Sequence, residues 1–177
     1  LFIQEYAQNH LFPDFRTFRE YHIPVNEKYE QTLDSLILAL VNKDMARTEA
    51  LLPALFQVEH YVPSSAVYNS MKSSGKIRLI EDLELQKKMS DFFDGTVIEC
   101  TAKNELQANF FLDNLMPWLL ENSDLLEMSL DDTKGLRTLK NTLLTFQSLV
   151  NQKTRHYQLI TVRTQELVRH IDSIFPN

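Results

Sequence analysis

The last forty or so residues constrain the fold most. From Leu136 the chain places Leu136, Leu139, Leu143, Phe146, Val150, Lys153, Tyr157, Ile160, Thr164, Leu167, Ile171 and Ile174 at strictly alternating intervals of three and four. A repeat near 3.5 residues belongs to a helix buried along one seam in a knobs-into-holes contact. About forty helical residues would extend ~60 Å at ~1.5 Å per residue. Such a seam must be covered along its whole length. Only Lys153 and Thr164 are polar in it, so those positions are expected to mark where the covering helix ends, bends or admits water.

A second stripe supplies the natural partner. Leu11, Phe15, Phe18, His22, Val25, Tyr29, Leu33, Leu36 and Leu40 also follow one another by threes and fours, the pattern of one helical face. Pro13 and Pro24 interrupt it chemically, since proline lacks the backbone donor and crowds the carbonyl four residues back. The stripe keeps its phase across Pro24, so one bent helix is expected there. Three glycines in 177 residues are too few for the positive-φ turns of a sandwich or barrel. The reading is therefore all-α: an elongated antiparallel helical bundle over residues 1–177, a single domain with long first and last helices and shorter ones between.

The shorter helices follow from local signals. A helix from Met45 to about Val58 would turn Leu51, Leu55 and Val58 inward. Pro63 with Ser64 and Ser65 marks a helix start, and Gly75 suits the left-handed position that ends it. Lys76–Ile80 reads as a connector burying Ile77, Leu79 and Ile80. Asp82 is placed to cap the next helix, which presents Leu85, Met89, Phe92 and Phe93. Around Gly95 the period falters, and Thr96–Val97–Ile98 reads as a bend or gap. Leu106, Phe110, Leu115, Trp118 and Leu119 resume the stripe, with a break or kink expected near Pro117. Ser123–Asp132 reads as a loop or helical turn.

Charge and cysteine usage exclude several functions. A net charge of −6, from 24 acidic and 18 basic residues, disfavours nonspecific nucleic-acid binding, which depends on Lys and Arg meeting phosphates. One cysteine, Cys100, permits neither an intrachain disulfide nor a cysteine zinc cluster. It has no local base to activate it and reads as a buried structural thiol. No apolar run reaches the ~20 residues needed to span a bilayer. Because the chain begins at Leu1, a membrane anchor upstream remains compatible with it.

No residue pattern specifies catalysis. The five histidines form no H-E-x-x-H pair. Glu166 and His170 lie one helical turn apart, but a metal centre needs three or four converging ligands. A metal-dependent hydrolase would have to recruit His22 or His60 as well. His22 sits on the apolar stripe just before Pro24, where it could bond a carbonyl freed by the proline. The aromatic residues exceed what one seam needs, and a ligand cleft lined by Phe15, His22 and Phe92 is the one candidate binding site. No cofactor, metal or catalytic residue is assigned.

The stretch from Tyr68 to Leu85 reads Tyr-Asn-Ser-Met-Lys-Ser-Ser-Gly-Lys-Ile-Arg-Leu-Ile-Glu-Asp-Leu-Glu-Leu. Its aromatic residue, Ser-Gly step, Leu-Ile pair and Asp before a Leu-rich helix, followed by Phe92–Phe93, resemble an uncharacterised bacterial family, the domain of unknown function numbered sixty-ninety. The resemblance implies a helical extracytoplasmic domain behind a transmembrane helix, here upstream of Leu1, at the periplasmic face of the inner membrane. It supplies no catalytic residues. A non-enzymatic domain acting through a protein partner or self-association is the expected function, and a small-molecule-binding sensory bundle is the alternative.

Overall fold

A computed structural model describes residues 16–130 and 135–174. These residues are helical except for connectors and one short hairpin, so the all-α bundle read from the sequence is the fold. The helices are α1 (Ile23–Val41), α2 (Met45–Leu51), α3 (Ala66–Ser73), α4 (Leu83–Ser90), α5 (Val97–Phe110), α6 (Met116–Asn122) and α7 (Leu136–Ile174). Between α6 and α7, β1 (Ser123–Asp124) pairs antiparallel with β2 (Ser129–Leu130). That hairpin replaces the loop expected at Ser123–Asp132, whose last two residues lie outside those described.

Three wide π turns keep helices continuous where the sequence suggested a bend, a gap or a kink. Phe18–His22 precedes α1, Asp91–Thr96 joins α4 to α5, and Phe111–Leu115 joins α5 to α6. In each the next amide bonds five residues back: Ile23 to Phe18, Val97 to Phe92, Met116 to Phe111. Pro24 and Pro117 each fall at the second position after such a turn. The widened turn lets the proline ring clear the carbonyl it would otherwise strike. The gap expected at Thr96–Ile98 is likewise absent, because the second π turn takes up the mismatch in period without ending the helix.

Among the described residues, packing separates two compact units, one of 16–23, 61–102 and 155–174, the other of 24–60, 103–130 and 135–154. In the first unit, Leu85, Met89, Phe92 and Phe93 pack with Tyr157, Ile160, Leu167 and Ile171 of α7. Asp82 caps α4, its carboxylate accepting from the Leu85 amide at 2.8 Å. Gly75 ends α3 at φ +73°, a conformation costly to any residue with a Cβ. Ser65, in contrast, makes no capping bond to α3; its hydroxyl accepts from the Asn69 side chain instead. Ile80 is buried in the following connector, but Leu79 is 78% exposed. The short 3-10 turn over Lys76–Leu79 rotates Leu79 outward while Ile80 closes the core.

In the second unit, Leu33, Leu36, Leu115, Leu119, Leu139 and Leu143 form the centre of the core. Each such side chain contributes roughly 1.5–3 kcal/mol by leaving water. The helix expected to reach Val58 stops at Leu51, and a 3-10 turn over Leu52–Phe56 follows, because Pro53 has no amide to extend the α ladder. Leu52 and Leu55 are the buried residues there. On α5 the inward face is not the one hydropathy suggested. Leu106 is 48% exposed, whereas Asn104 and Gln107 are buried, in line with Phe111.

Candidate functional site

The closing seam is buried as its spacing required: between Leu139 and Ile171 every seam position is inaccessible. Lys153 is therefore a charged residue with 0% exposure inside a core. Its ammonium donates to the Glu59 main-chain carbonyl at 2.6 Å. The Glu59 carboxylate accepts from the Asn26 amide, also at 2.6 Å. Asn26 is nearly inaccessible and stands where the stripe suggested Val25. Burying an ammonium is tolerable only with such partners. The connector after Phe56 supplies one of them, so Lys153 ties α7 to that connector.

The second unit's register puts further polar groups near this level. Phe110 stacks on Phe146, Lys103 donates to Gln152 at 2.9 Å, and Gln147 donates to Asp34. Neither side-chain amide atom of the fully buried Gln107 has a protein hydrogen-bond partner, a rarity in native cores. His60 follows Glu59 in the connector. Burial first, and then the nearby Lys153 ammonium, lower its pKa against the opposing pull of Glu59.

The residues nominated from sequence are placed as follows. His22 closes the first π turn and stacks on Tyr61 with ring centroids 4.3 Å apart, beside Phe18 and Tyr157. The Tyr61 amide donates to the Tyr157 hydroxyl at 3.0 Å, which fixes that aromatic group. Phe92 lies in the second π turn, edge-on to Phe93 at 4.9 Å, and lines a cavity of about 200 Å³ with Lys88, Arg163 and Leu167. Phe15 lies outside the described residues. Cys100 is fully buried, its thiol directed at the Tyr61 carbonyl 3.6 Å away.

Glu166 and His170 do not act as a pair. Glu166 accepts from Arg163 at 3.1 Å. His170 lies between Lys88, 3.3 Å from Nδ1, and Asp82, 3.4 Å from Nε2. The Glu84 carboxylate also approaches Nδ1, at 3.9 Å, so the ring lies among one ammonium and two carboxylates. Among the described residues no three His, Cys, Asp or Glu side chains converge on a metal-sized point.

A second network holds α3 to the second π turn. Asp94 accepts from Tyr68 and Lys72, each at 2.7 Å, and from Ser90 at 3.1 Å. Burial pushes the Asp94 carboxyl up, but the bonds from Lys72, Tyr68 and Ser90 outweigh it and hold the pKa below the usual carboxylate range. Burial, then the bond to Asp94, pushes the Tyr68 phenol up to about 12.

Beside this network a groove of about 610 Å³ opens between α3 and the connector, lined mainly by Val67, Met71, Leu79 and Ile80, with Ser70 and Lys76 as its polar members. Leu79 and Leu83 stand 78% and 76% exposed nearby in the chain. It falls within the stretch singled out in the sequence. Hydropathy alone could not find it, because it marked Leu79 as core. No protein-family model matches the chain, and neither a curated protein nor a solved structure does.

Proposed function

We propose that this chain is a non-enzymatic helical domain that works by docking a protein partner through the groove between α3 and the Lys76–Leu79 turn. The observation behind this reading is the exposure of Leu79, 78%, at the wall of an apolar groove. Isolated surface leucines are ordinary, but large apolar side chains gathered about a concave apolar surface mark interaction sites. Gly75 and Asp82, the caps of α3 and α4, flank the connector that forms one wall of the groove. A cell-envelope setting, with a membrane anchor preceding Leu1, is part of the proposal and is supported by the resemblance of Tyr68–Leu85.

The test uses cells making the whole protein. A photo-crosslinking residue in place of Leu79 should yield one discrete protein adduct. Ala66→Lys, which puts a long charged side chain at the exposed groove wall, should abolish it while leaving the helical spectrum unchanged. An adduct of twice the chain mass would identify the partner as a second copy. A diffuse ladder of adducts, or one insensitive to Ala66→Lys, would overturn the docking role.

A further inference from the structure

The second unit contains a different concavity, about 650 Å³ in volume, where the end of α1 meets the start of α7. Leu40, Met45 and Leu136 give it an apolar floor, and Lys43, Arg137 and Lys140 line its wall. Among the described residues no carboxylate lines it and none of the three cations makes an ion pair. That convergence occurs in a chain whose net charge is −6.

Two of the cations stand where local energetics disfavours them. Lys43 occupies the residue after the α1 cap at φ +57°. Its amide bonds to the Leu40 carbonyl and the Asp44 amide to the Ala39 carbonyl, at 3.2 and 2.9 Å. This bond pair defines a Schellman ending, in which the left-handed residue is ordinarily Gly or Asn. Arg137 lies in the first turn of α7, where the helix dipole already presents positive charge, and Lys140 follows in the second turn. No acidic residue stands in the first turn of α7 to offset them. A strained lysine, an arginine at a helix start and a third cation around one apolar floor are explained together by an anion that all three meet.

We propose that this cavity binds a small anionic amphiphile, a phosphate or carboxylate head on Lys43, Arg137 and Lys140 with a short alkyl body over Leu40, Met45 and Leu136. The volume lies in the range of small-ligand sites, roughly 300–1,000 Å³. A bare anion would leave the floor in water, and a neutral amphiphile would leave the cations without a counter-charge.

Calorimetric titration of the intact protein tests this with octyl phosphate below its micellar concentration, octanoate, inorganic phosphate and octyl glucoside. Octyl phosphate should bind at least about tenfold more tightly than inorganic phosphate or octyl glucoside, from the joint contribution of head and chain. The relative affinity of octanoate assigns the head as carboxylate or phosphate. The pair Arg137→Gln and Lys140→Gln should weaken octyl phosphate about tenfold or more without changing the helical spectrum or Tm. Lys43→Gln, at an exposed position, should weaken it several-fold and serves if the pair fails to fold. Equal binding of phosphate alone, equal binding of octyl glucoside, or unchanged affinity in these variants would overturn the site. Retention on anionic vesicles that octyl phosphate does not displace would overturn it too, in favour of a membrane contact.

Discussion

Lys153, buried to 0% exposure, spends one ammonium hydrogen on the main-chain carbonyl of Glu59, 2.6 Å away. The pairing joins the long closing helix to a connector that has no regular structure of its own. Lys153→Ala should cost about 2–4 kcal/mol, from the volume removed and the carbonyl left without its donor. Lys153→Met, of similar volume, also removes the cost of burying a charge and should fall within about 1 kcal/mol of the parent. Urea denaturation of both variants measures the difference. A Lys153→Ala variant as stable as the parent would mean that neither the side-chain volume nor the bond to the Glu59 carbonyl contributes.

His60 should report the same ammonium. Burial and then Lys153 lower its pKa, so below the ordinary histidine value the unfolded chain binds the proton more readily. Stability should therefore be full above about pH 6.5 and fall as pH drops through the folded value. In Lys153→Met the His60 resonance should titrate at higher pH than in the parent. An unchanged NMR titration would show that Lys153 does not act on it.

Asp94 should govern a lower window. Its folded pKa lies below the ordinary carboxylate value, so its contribution is present above about pH 3.9 and is lost as pH falls through the folded pKa. Asp94→Asn weakens the bonds from Tyr68 and Lys72 and should cost about 1 kcal/mol at neutral pH. The variant should also lose less stability than the parent on acidification. Thermal unfolding followed from pH 7 to pH 3 separates the two.

Lys43→Gly should stabilise the fold. The φ of +57° is strained for lysine and free for glycine, and relieving it is worth about 1 kcal/mol. A rise in Tm is expected, opposite in sign to the effect of Gly135→Ala. There φ is +80°, and the new Cβ would meet the Trp118 indole nitrogen at 3.1 Å. Calorimetry of the two variants checks both signs.

Neighbouring residues of the connector should differ sharply. Leu79→Ser, at a side chain 78% exposed, should shift stability by no more than about 0.5 kcal/mol, whereas Ile80→Ala, at 6%, should cost about 2–4 kcal/mol. Comparable losses at both would mean that Leu79 is covered in solution.

The sequence disclosed the helices because 3.5-residue spacing is a property of the chain itself. The seam from Leu139 to Ile171 and the terminators Gly75 and Asp82 needed no tertiary knowledge. What it concealed depended on other segments. Asn26 and Gln107 are buried although hydropathy favours Val25 and Leu106, since helix phase outranks side-chain polarity once neighbouring residues of the same face are packed. Leu79 turns outward because a 3-10 turn advances differently from an α turn. Of the cleft suggested by Phe15, His22 and Phe92, His22 stacks on Tyr61 while Phe92 lines a small cavity. The groove was invisible because the spacing marked Leu79 as core, and the cation-lined cavity because it is assembled from the end of α1 and the start of α7, whose approach no local pattern encodes.

The π turn at Phe111–Leu115 holds one more residue than an α turn would need. A lineage could therefore gain or shed that residue without breaking the helix, provided the side chains beyond it kept their facing. Aligned relatives should then show a one-residue gap in mid-helix at this position, a place where length changes are ordinarily purged. Such a gap would be a record of ancestry kept in the backbone, readable where side-chain similarity has faded.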